Sequence, residues 1–407
     1  MSYTRHLRRL STSAAAAATA ANTTSAAAPS SSVSISKAKS KLQSEFDPDK
    51  ALEIYTSVSK HDSSPATSRY VQGLAVRRLA KSRRFSDIEA LMESHKSDPR
   101  IRDEPYLSTL IRSYGCAGMF DHALRTFSEM EQLGTPRSVV SFNALLTACN
   151  ACKLFDKVPD LFNEMSSTYN IVPDKVSYGI LIKSYCEAGS PEKGMGVLRE
   201  MEEKGVEVTA VTFTTILDAL YKSGRSAEAE RLWVDMVSKG CELDAAVYNV
   251  RLMNAQDTGP ESVKKIIEEM NEKGVKPDTV SYNCLVTSYC KAGMMEDAKK
   301  VYEGLRGNGC KPNAATFRTL VHYRCEKGQY KRAYWVFKES VRADKIPDFM
   351  TLRRLEEGLV EKKYMEEAKG LLRTVKKKFP SSSLNAWKEV EESLGLASAA
   401  AACDTAL

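Results

Sequence analysis

Apolar side chains return at helical spacing in five similar windows, VSFNALLTACN, VSYGILIKSYC, VTFTTILDALY, VSYNCLVTSYC and ATFRTLVHYRC. Between Thr279 and Asn313 the pattern can be followed residue by residue. Tyr282, Leu285, Val286 and Tyr289 mark one helical face, the Lys291, Ala292, Gly293 stretch interrupts it, and Met295, Ala298, Val301, Tyr302 and Leu305 resume it. Gly293 supplies a turn. Gly309 tolerates the left-handed cap that ends a helix, and Pro312 blocks any continuation of that helix. The segment therefore predicts two helices joined by a tight turn.

The same pattern recurs about every 35 residues. Met130, Met165, Met201, Met236 and Met270 stand 35, 36, 35 and 34 apart, with Leu305 in the same place 35 later. Pro277, Pro312 and Pro347 keep the beat, as do Ala298, Ala333 and Ala368. A fixed period of this size signifies stacked units rather than one globular core. A helical hairpin alone cannot bury its apolar stripe, so successive hairpins must pack side by side. The expected fold is all-α, an α-solenoid superhelix of helix-turn-helix repeats.

Running the register along the chain sets the boundaries. Seven clear units fill 104–348, starting at Glu104, Val139, Lys175, Ala210, Ala245, Thr279 and Ala314. Degenerate units occupy 34–103, one of them starting at Arg69 with Arg83, Arg84 and Phe85 in place of the small-residue turn. A last partial unit spans 349–380. Within 381–407, Leu384, Trp387, Val390 and Leu394 predict a short capping helix starting near Ser383, and an Ala-rich tail completes the chain.

The first 33 residues are of another kind. Arg5, Arg8 and Arg9 precede long Ala, Ser and Thr runs, and no acid occurs before Glu45. That composition predicts an organelle transit peptide over 1–33, and the early arginines favour the mitochondrion over the chloroplast. The leader also changes the meaning of net charge. Removing Arg5, Arg8, Arg9, Lys37, Lys39 and Lys41, six positive charges, from the overall +7 leaves +1 from Glu45 onward. Bulk charge thus gives no support for nucleic-acid binding, and any basic surface must be local, as at Arg77 with Arg78, Arg353 with Arg354, or Lys376 to Lys378. No apolar run is long enough to span a bilayer.

Little in the chain suggests catalysis. The five histidines fall in unrelated contexts without a zinc or metalloprotease spacing, and no phosphate loop or nucleophile elbow occurs. Cys149 and Cys152 form a CxxC without a second one. Cys186, Cys290 and Cys325 share one place in their units, and Cys241 and Cys310 another, so register assigns them to helix packing. Neither a metal nor a cofactor is expected.

The unit V-x-[ST]-[YF]-N-x-L, continuing through Cys-Lys-Ala-Gly to a closing Pro-Asp or Pro-Asn, resembles the pentatricopeptide repeat of plant organelle proteins, and Thr279 to Asn313 is a near-consensus copy. The uniform 35-residue length resembles the P-type class, and the chain size is similar to that of small members found on mitochondrial ribosomes. The resemblance implies single-stranded RNA binding, one base per unit, read by the fifth and last residues. Those pairs are Asn143 with Asp174, Thr214 with Asp244, Asn249 with Asp278, and Asn283 with Asn313. By the family's code they would read uracil, guanine, uracil and a pyrimidine, with Gly179 leaving an unread place after the first. Val140, Val176, Val211 and Val280 match the residues that sandwich bases, and Lys81, Lys222 and Lys291 match phosphate contacts. The pairs Ser108 with Ser138 and Arg318 with Asp348 fit the code poorly, while Glu187, Asp257, Glu326 and Glu361 reverse the charge at the lysine place.

These readings give three expected functions. The first is an RNA-binding factor that stabilises, processes or helps translate a mitochondrial transcript. The second is a mitochondrial ribosome subunit, or a ribosome-associated protein, that contacts ribosomal RNA and ribosomal proteins with weak sequence choice. The third is a protein-binding scaffold. An enzyme and a small-molecule substrate are not expected.

Overall fold

The computed structural model describes residues 35–45, 47–59, 65–96, 103–378 and 385–395, and among them every regular element is helical. The leader assigned to 1–33 and the tail after 395 lie outside the described residues. Helices come in pairs. The first two pairs are α1 (Ile35–Ser44) with α2 (Pro48–Ser59) and α3 (Pro65–Lys81) with α4 (Phe85–Lys96). Next come α5 (Glu104–Cys116) with α6 (Phe120–Glu129), and α7 (Val139–Ala151) with α8 (Val158–Thr168). The centre holds α9 (Lys175–Glu187) with α10 (Pro191–Glu203), α11 (Ala210–Lys222) with α12 (Ser226–Ser238), and α13 (Ala245–Ala255) with α14 (Pro260–Glu272). Beyond it lie α15 (Thr279–Lys291) with α16 (Met295–Gly304), α17 (Ala314–Glu326) with α18 (Tyr330–Arg342), and α19 (Phe349–Glu361) with α20 (Met365–Lys378). A single helix, α21 (Asn385–Ser393), closes the series.

One boundary departs from the sequence expectation. The helix expected from Arg69 begins four residues earlier, at Pro65. A proline in the first turn loses no hydrogen bond, because that N–H has no intrahelical partner anyway.

Eight hairpin turns each hold one residue in the left-handed conformation, Gly118, Gly189, Gly224, Gly293 or Gly328, and where glycine is missing Arg83, Lys153 or Lys363, while the α13–α14 turn ends on Gly259 at φ 122°. Such a residue hands the chain to the second helix without lengthening the unit.

Every first helix from α5 to α17 packs against the next first helix and against its own second helix, giving two layers. The buried methionines Met130, Met201, Met236 and Met270, with Phe127, Phe142, Phe213 and Phe317, fill the space between them. The α5–α7 contact is the tightest, because Gly115 lies so close to α7 that a Cβ there would sit 2.5 Å from Ala148 Cα. The cysteines obey this packing. Cys149, Cys290, Cys310 and Cys325 are buried, Cys186 and Cys241 are half-buried, and none is bonded to another. Trp387 and Val390 of α21 cover the last open face, with Trp387 edge-on to Phe349 at 5.0 Å.

One core place carries the wrong kind of residue. Counting from the start of each first helix, the eighth place is Ile111, Leu146, Ile182, Leu217, Leu252, Val286 and Val321, all fully buried. In α19 it is Glu356, equally buried, with neither carboxylate oxygen hydrogen-bonded. Burial, helped by the nearby Glu391, pushes its pKa up to about 8.

Both features can be tested by mutation. Gly115→Val forces α5 and α7 apart and lowers stability by about 1–3 kcal/mol, read as a lower melting temperature by circular dichroism. For Glu356 the folded chain holds a proton that the unfolded chain, with an ordinary pKa of about 4.3, has released, so stability falls as pH rises between that value and about 8. Glu356→Gln therefore raises the melting temperature at pH 8 by about 2 °C or more and by less at pH 5.

Candidate nucleic-acid interface

The first turns of the first helices form one repeated polar arrangement. Asp174 precedes α9 in extended conformation, and its Oδ1 accepts from the amides of Val176 (3.0 Å) and Ser177 (2.9 Å). Asp278 caps α15 in the same way through Val280 (2.8 Å) and Ser281 (3.0 Å), while Asn313 caps α17 through the Thr316 amide (3.0 Å). Such caps contribute about 1 kcal/mol each.

These capping residues are also tied to the preceding unit. Asn143 Nδ2 donates to Asp174 Oδ1 (3.0 Å), Asn249 Nδ2 to Asp278 Oδ1 (3.1 Å), and Asn283 Nδ2 to Asn313 Oδ1 (3.2 Å). In return the asparagine carbonyls accept from hydroxyls at the third place of the next helix. Ser177 donates to Asn143 Oδ1 at 2.6 Å, Ser281 to Asn249 Oδ1 at 2.7 Å, and Thr316 to Asn283 Oδ1 at 2.7 Å. Three of the four expected pairs thus meet directly. A carboxamide has two N–H donors and two acceptor positions, so each asparagine keeps one of each. Among the described residues, the side-chain hydrogen bonds of Asp174 and of Asp278 all go to Oδ1, so one oxygen holds the helix and the seam and the other is not engaged. Burial raises the pKa of Asp174, yet the bonds from Asn143, Ser177 and Val176 outweigh it and hold the carboxyl below its ordinary value. Asp278 is lowered against burial by Ser281, Asn249 and Val280 in the same way.

The fourth pair is not joined. Thr214 donates to the Val211 carbonyl (3.0 Å), and Asp244 accepts only from the Val247 amide (2.9 Å). The cause is in the next helix, whose third place is Val247, without a hydroxyl to bridge the two. The poorly fitting pairs are displaced further. Ser108 is fully buried with an unpaired hydroxyl, and Ser138 is held by Glu104, which accepts from its amide (2.7 Å) and from its hydroxyl. Arg318 is exposed on α17.

The second-place side chains stand out from this row. Val140, Val176, Val211 and Val280 are 41%, 50%, 73% and 39% exposed, high for branched apolar residues in helices. Met350, second in α19 and 67% exposed, extends the same stripe. Sequence reasoning missed it, and it missed the bridging hydroxyls of Ser177, Ser281 and Thr316, although the [ST] of the repeated motif was the available signal.

The lysine place is mixed in charge. Lys81 is exposed near the start of the stack. Lys222 is paired with Asp218, and Lys291 reaches back one unit to Asp257, which occupies the same place as itself. From Glu187 onward this thirteenth place reads Glu187, Lys222, Asp257, Lys291, Glu326 and Glu361, four acids against two lysines. Other basic clusters are compensated too, Arg353 by Glu357, Arg354 by Glu326 and Lys378 by Asp344. Among the described residues no group of His, Cys, Asp and Glu could hold a metal, and no helix is long and apolar enough to cross a membrane.

The sequence profile of the PPR repeat family matches residues 137–187, 173–222, 208–254 and 277–326, and the PPR repeat profile matches 107–135. The small ribosomal subunit protein mL103 of Arabidopsis thaliana is 62% identical over 89% of this chain and 89% of its own. A mitochondrial pentatricopeptide repeat-containing protein of the same plant is 58% identical over 97% of this chain and 92% of its own. Among solved structures, the pentatricopeptide repeat protein PPR10 from maize is 19% identical over 85% of this chain and 59% of that one, with a TM-score of 0.43. On its repeats and its full-length relatives, the chain belongs to the pentatricopeptide repeat family.

Proposed function

We propose that this chain is a non-enzymatic, RNA-binding solenoid of the mitochondrion that works in translation as a component of the small ribosomal subunit. The observation that carries this reading is the likeness, along nearly the whole of both chains, to a small ribosomal subunit protein. The geometry agrees with it. A thirteenth place with more acids than lysines gives little of the counterion-driven affinity by which a free protein holds RNA, so lasting attachment calls for additional contacts with structured RNA and proteins. The acid-free leader 1–33 serves in this reading as the mitochondrial address.

Bases enter this reading along the first-helix row. An unstacked base rests between successive second-place valines, from Val140 to Val280, and its edge meets the fifth and last residues. Asn143 with Asp174 and Asn249 with Asp278 each offer one free amide N–H and one free carboxylate oxygen, a match for the donor and acceptor on the edge of uracil. Thr214 with Asp244 is the proposed guanine place, and Asn283 with Asn313 the pyrimidine place. Lys81 is the unpaired phosphate contact, while Lys222 and Lys291 must leave Asp218 and Asp257 to serve as others. A second reading, a free-standing reader of one transcript, draws support from these same pairs.

Two measurements test the proposal. Full-length chain binds an oligoribonucleotide carrying U-x-G-U-Y about tenfold more tightly than a scrambled one at about 100 mM salt, a difference of about 1.4 kcal/mol. Equal affinity, or none for either, sinks base reading by this row. When mitochondrial lysate is sedimented, the protein travels with the small subunit. Confinement to light fractions overturns the ribosomal assignment and leaves the free-standing reader.

A further inference from the structure

One repeat has its polarity reversed at two places that face the same cleft. The eleventh place of the first helices is Tyr114, Cys149, Tyr185, Leu220, Ala255, Tyr289 and Leu359, apolar in each. In α17 it is Arg324, only 5% exposed. The sixth place of the second helices is a basic residue, Arg125, Arg231, Lys265 or Lys300, in four other units and Asn163, Gly196 or Gly370 in three, with no large apolar side chain among them. In α18 it is Trp335, 64% exposed. The other tryptophans, Trp233 and Trp387, are buried.

Arg324 and Trp335 line one cleft of 310 Å³ between α16 and α18, with Arg324 and Leu320 supplied from α17. The guanidinium has one hydrogen bond, from Nη1 to Gln329 Oε1 at 3.0 Å, and its Nε is buried without a partner. Three carboxylates line the cleft, and each is engaged elsewhere. Glu296 pairs with Arg332 at 3.3 Å, Glu303 with Lys299 at 3.5 Å, and Glu339 accepts from the Tyr302 hydroxyl at 3.0 Å. Arg324 has no ion pair among the described residues. Burial lowers its pKa, against the opposing pull of the Glu296 and Glu339 carboxylates.

A buried charge without a counter-ion is costly, and replacing an apolar core residue by it loses packing as well. An exposed tryptophan likewise leaves a large apolar surface in water, whereas Trp and Arg are the residues that anchor interfaces. One occupant relieves both. We propose that the α16–α18 cleft docks a segment of a partner protein, whose Asp or Glu carboxylate pairs with Arg324 while an adjacent apolar side chain covers Trp335.

Charge decides between a peptide and RNA. A phosphodiester chain brings successive negative charges to a cleft where Arg324 is the one cation without an ion pair among the described residues, Glu296 with Arg332 and Glu303 with Lys299 being paired already. A peptide carries a single carboxylate to the single unmatched guanidinium and is otherwise neutral. The cleft, bordered by second helices, is also distinct from the valine row on the first helices, so the inference does not depend on the assignment of RNA or ribosome.

The test uses purified full-length chain and the fluorescence of Trp335, the exposed tryptophan. Titration with the blocked peptide acetyl-Leu-Glu-Phe-amide changes its emission saturably, and acetyl-Leu-Gln-Phe-amide binds about tenfold more weakly or worse. Arg324→Leu restores the residue type of the other repeats, so it melts no lower than the parent and loses the preference for the Glu peptide. Trp335→Lys, which places the residue of the neighbouring repeat on the surface, loses binding with an unchanged melt when monitored by calorimetry. Equal affinity for the two peptides, or an unaltered Glu preference in Arg324→Leu, overturns the proposal. An oligouridylate that saturates the signal where the peptide does not assigns the cleft to RNA and overturns it as well.

Discussion

A hairpin of about 35 residues cannot hide its own apolar stripe, and the remaining architecture answers to that constraint. Each first helix needs the next one as a wall, so Met201, Phe213 and Met236 are buried by neighbours in the row rather than by a distant part of the chain. The same need makes the environment of a given place nearly identical from unit to unit. Isoleucine, leucine and valine alternate freely at the eighth place, since volume and hydrophobicity satisfy it. Deviations such as Glu356 and Arg324 are conspicuous because the other units show what that place ordinarily accepts.

Stacking also dictates where polar groups are joined. The asparagines of α7, α13 and α15 lie on the seam between adjoining first helices, where an unsatisfied carboxamide would be expensive. Hydroxyls from Ser177, Ser281 and Thr316 and caps from Asp174, Asp278 and Asn313 satisfy them across the seam. A polar row thereby fixes the register of a stack that hydrophobic contact alone would hold only loosely. The thirteenth place beside it carries more acids than lysines, and its two lysines, Lys222 and Lys291, are held by Asp218 and Asp257.

Much of this was legible in the sequence because its signals are local. Glycine at the turn, proline after the second helix and Asp, Asn or Ser before the first act within a few residues, and the first helices from α5 to α19 begin at the residues where the units begin. What escaped acts across units. Lys291 read alone is a phosphate contact, and its partner Asp257 lies 34 residues away on the previous hairpin. Ser108 read alone is a polar residue on a recognition helix, whereas the stack buries it completely. The Thr214 pair failed for a reason three residues beyond its partner, at Val247. Pro65 starts α3 early because a proline is accepted in a first turn, where its missing N–H has no helical partner to lose.

The joined asparagine and aspartate rows bear on how such a protein can change. Asp174 and Asp278 each cap a helix and, with Asn143 and Asn249, close a seam, so a substitution at either place loosens the array at that point. The unit starting at Ala210 has no such joint, since Thr214 and Asp244 make their bonds locally. Substitution has its least obstructed path through that unit, in the middle of the series, while the flanking places keep what they have.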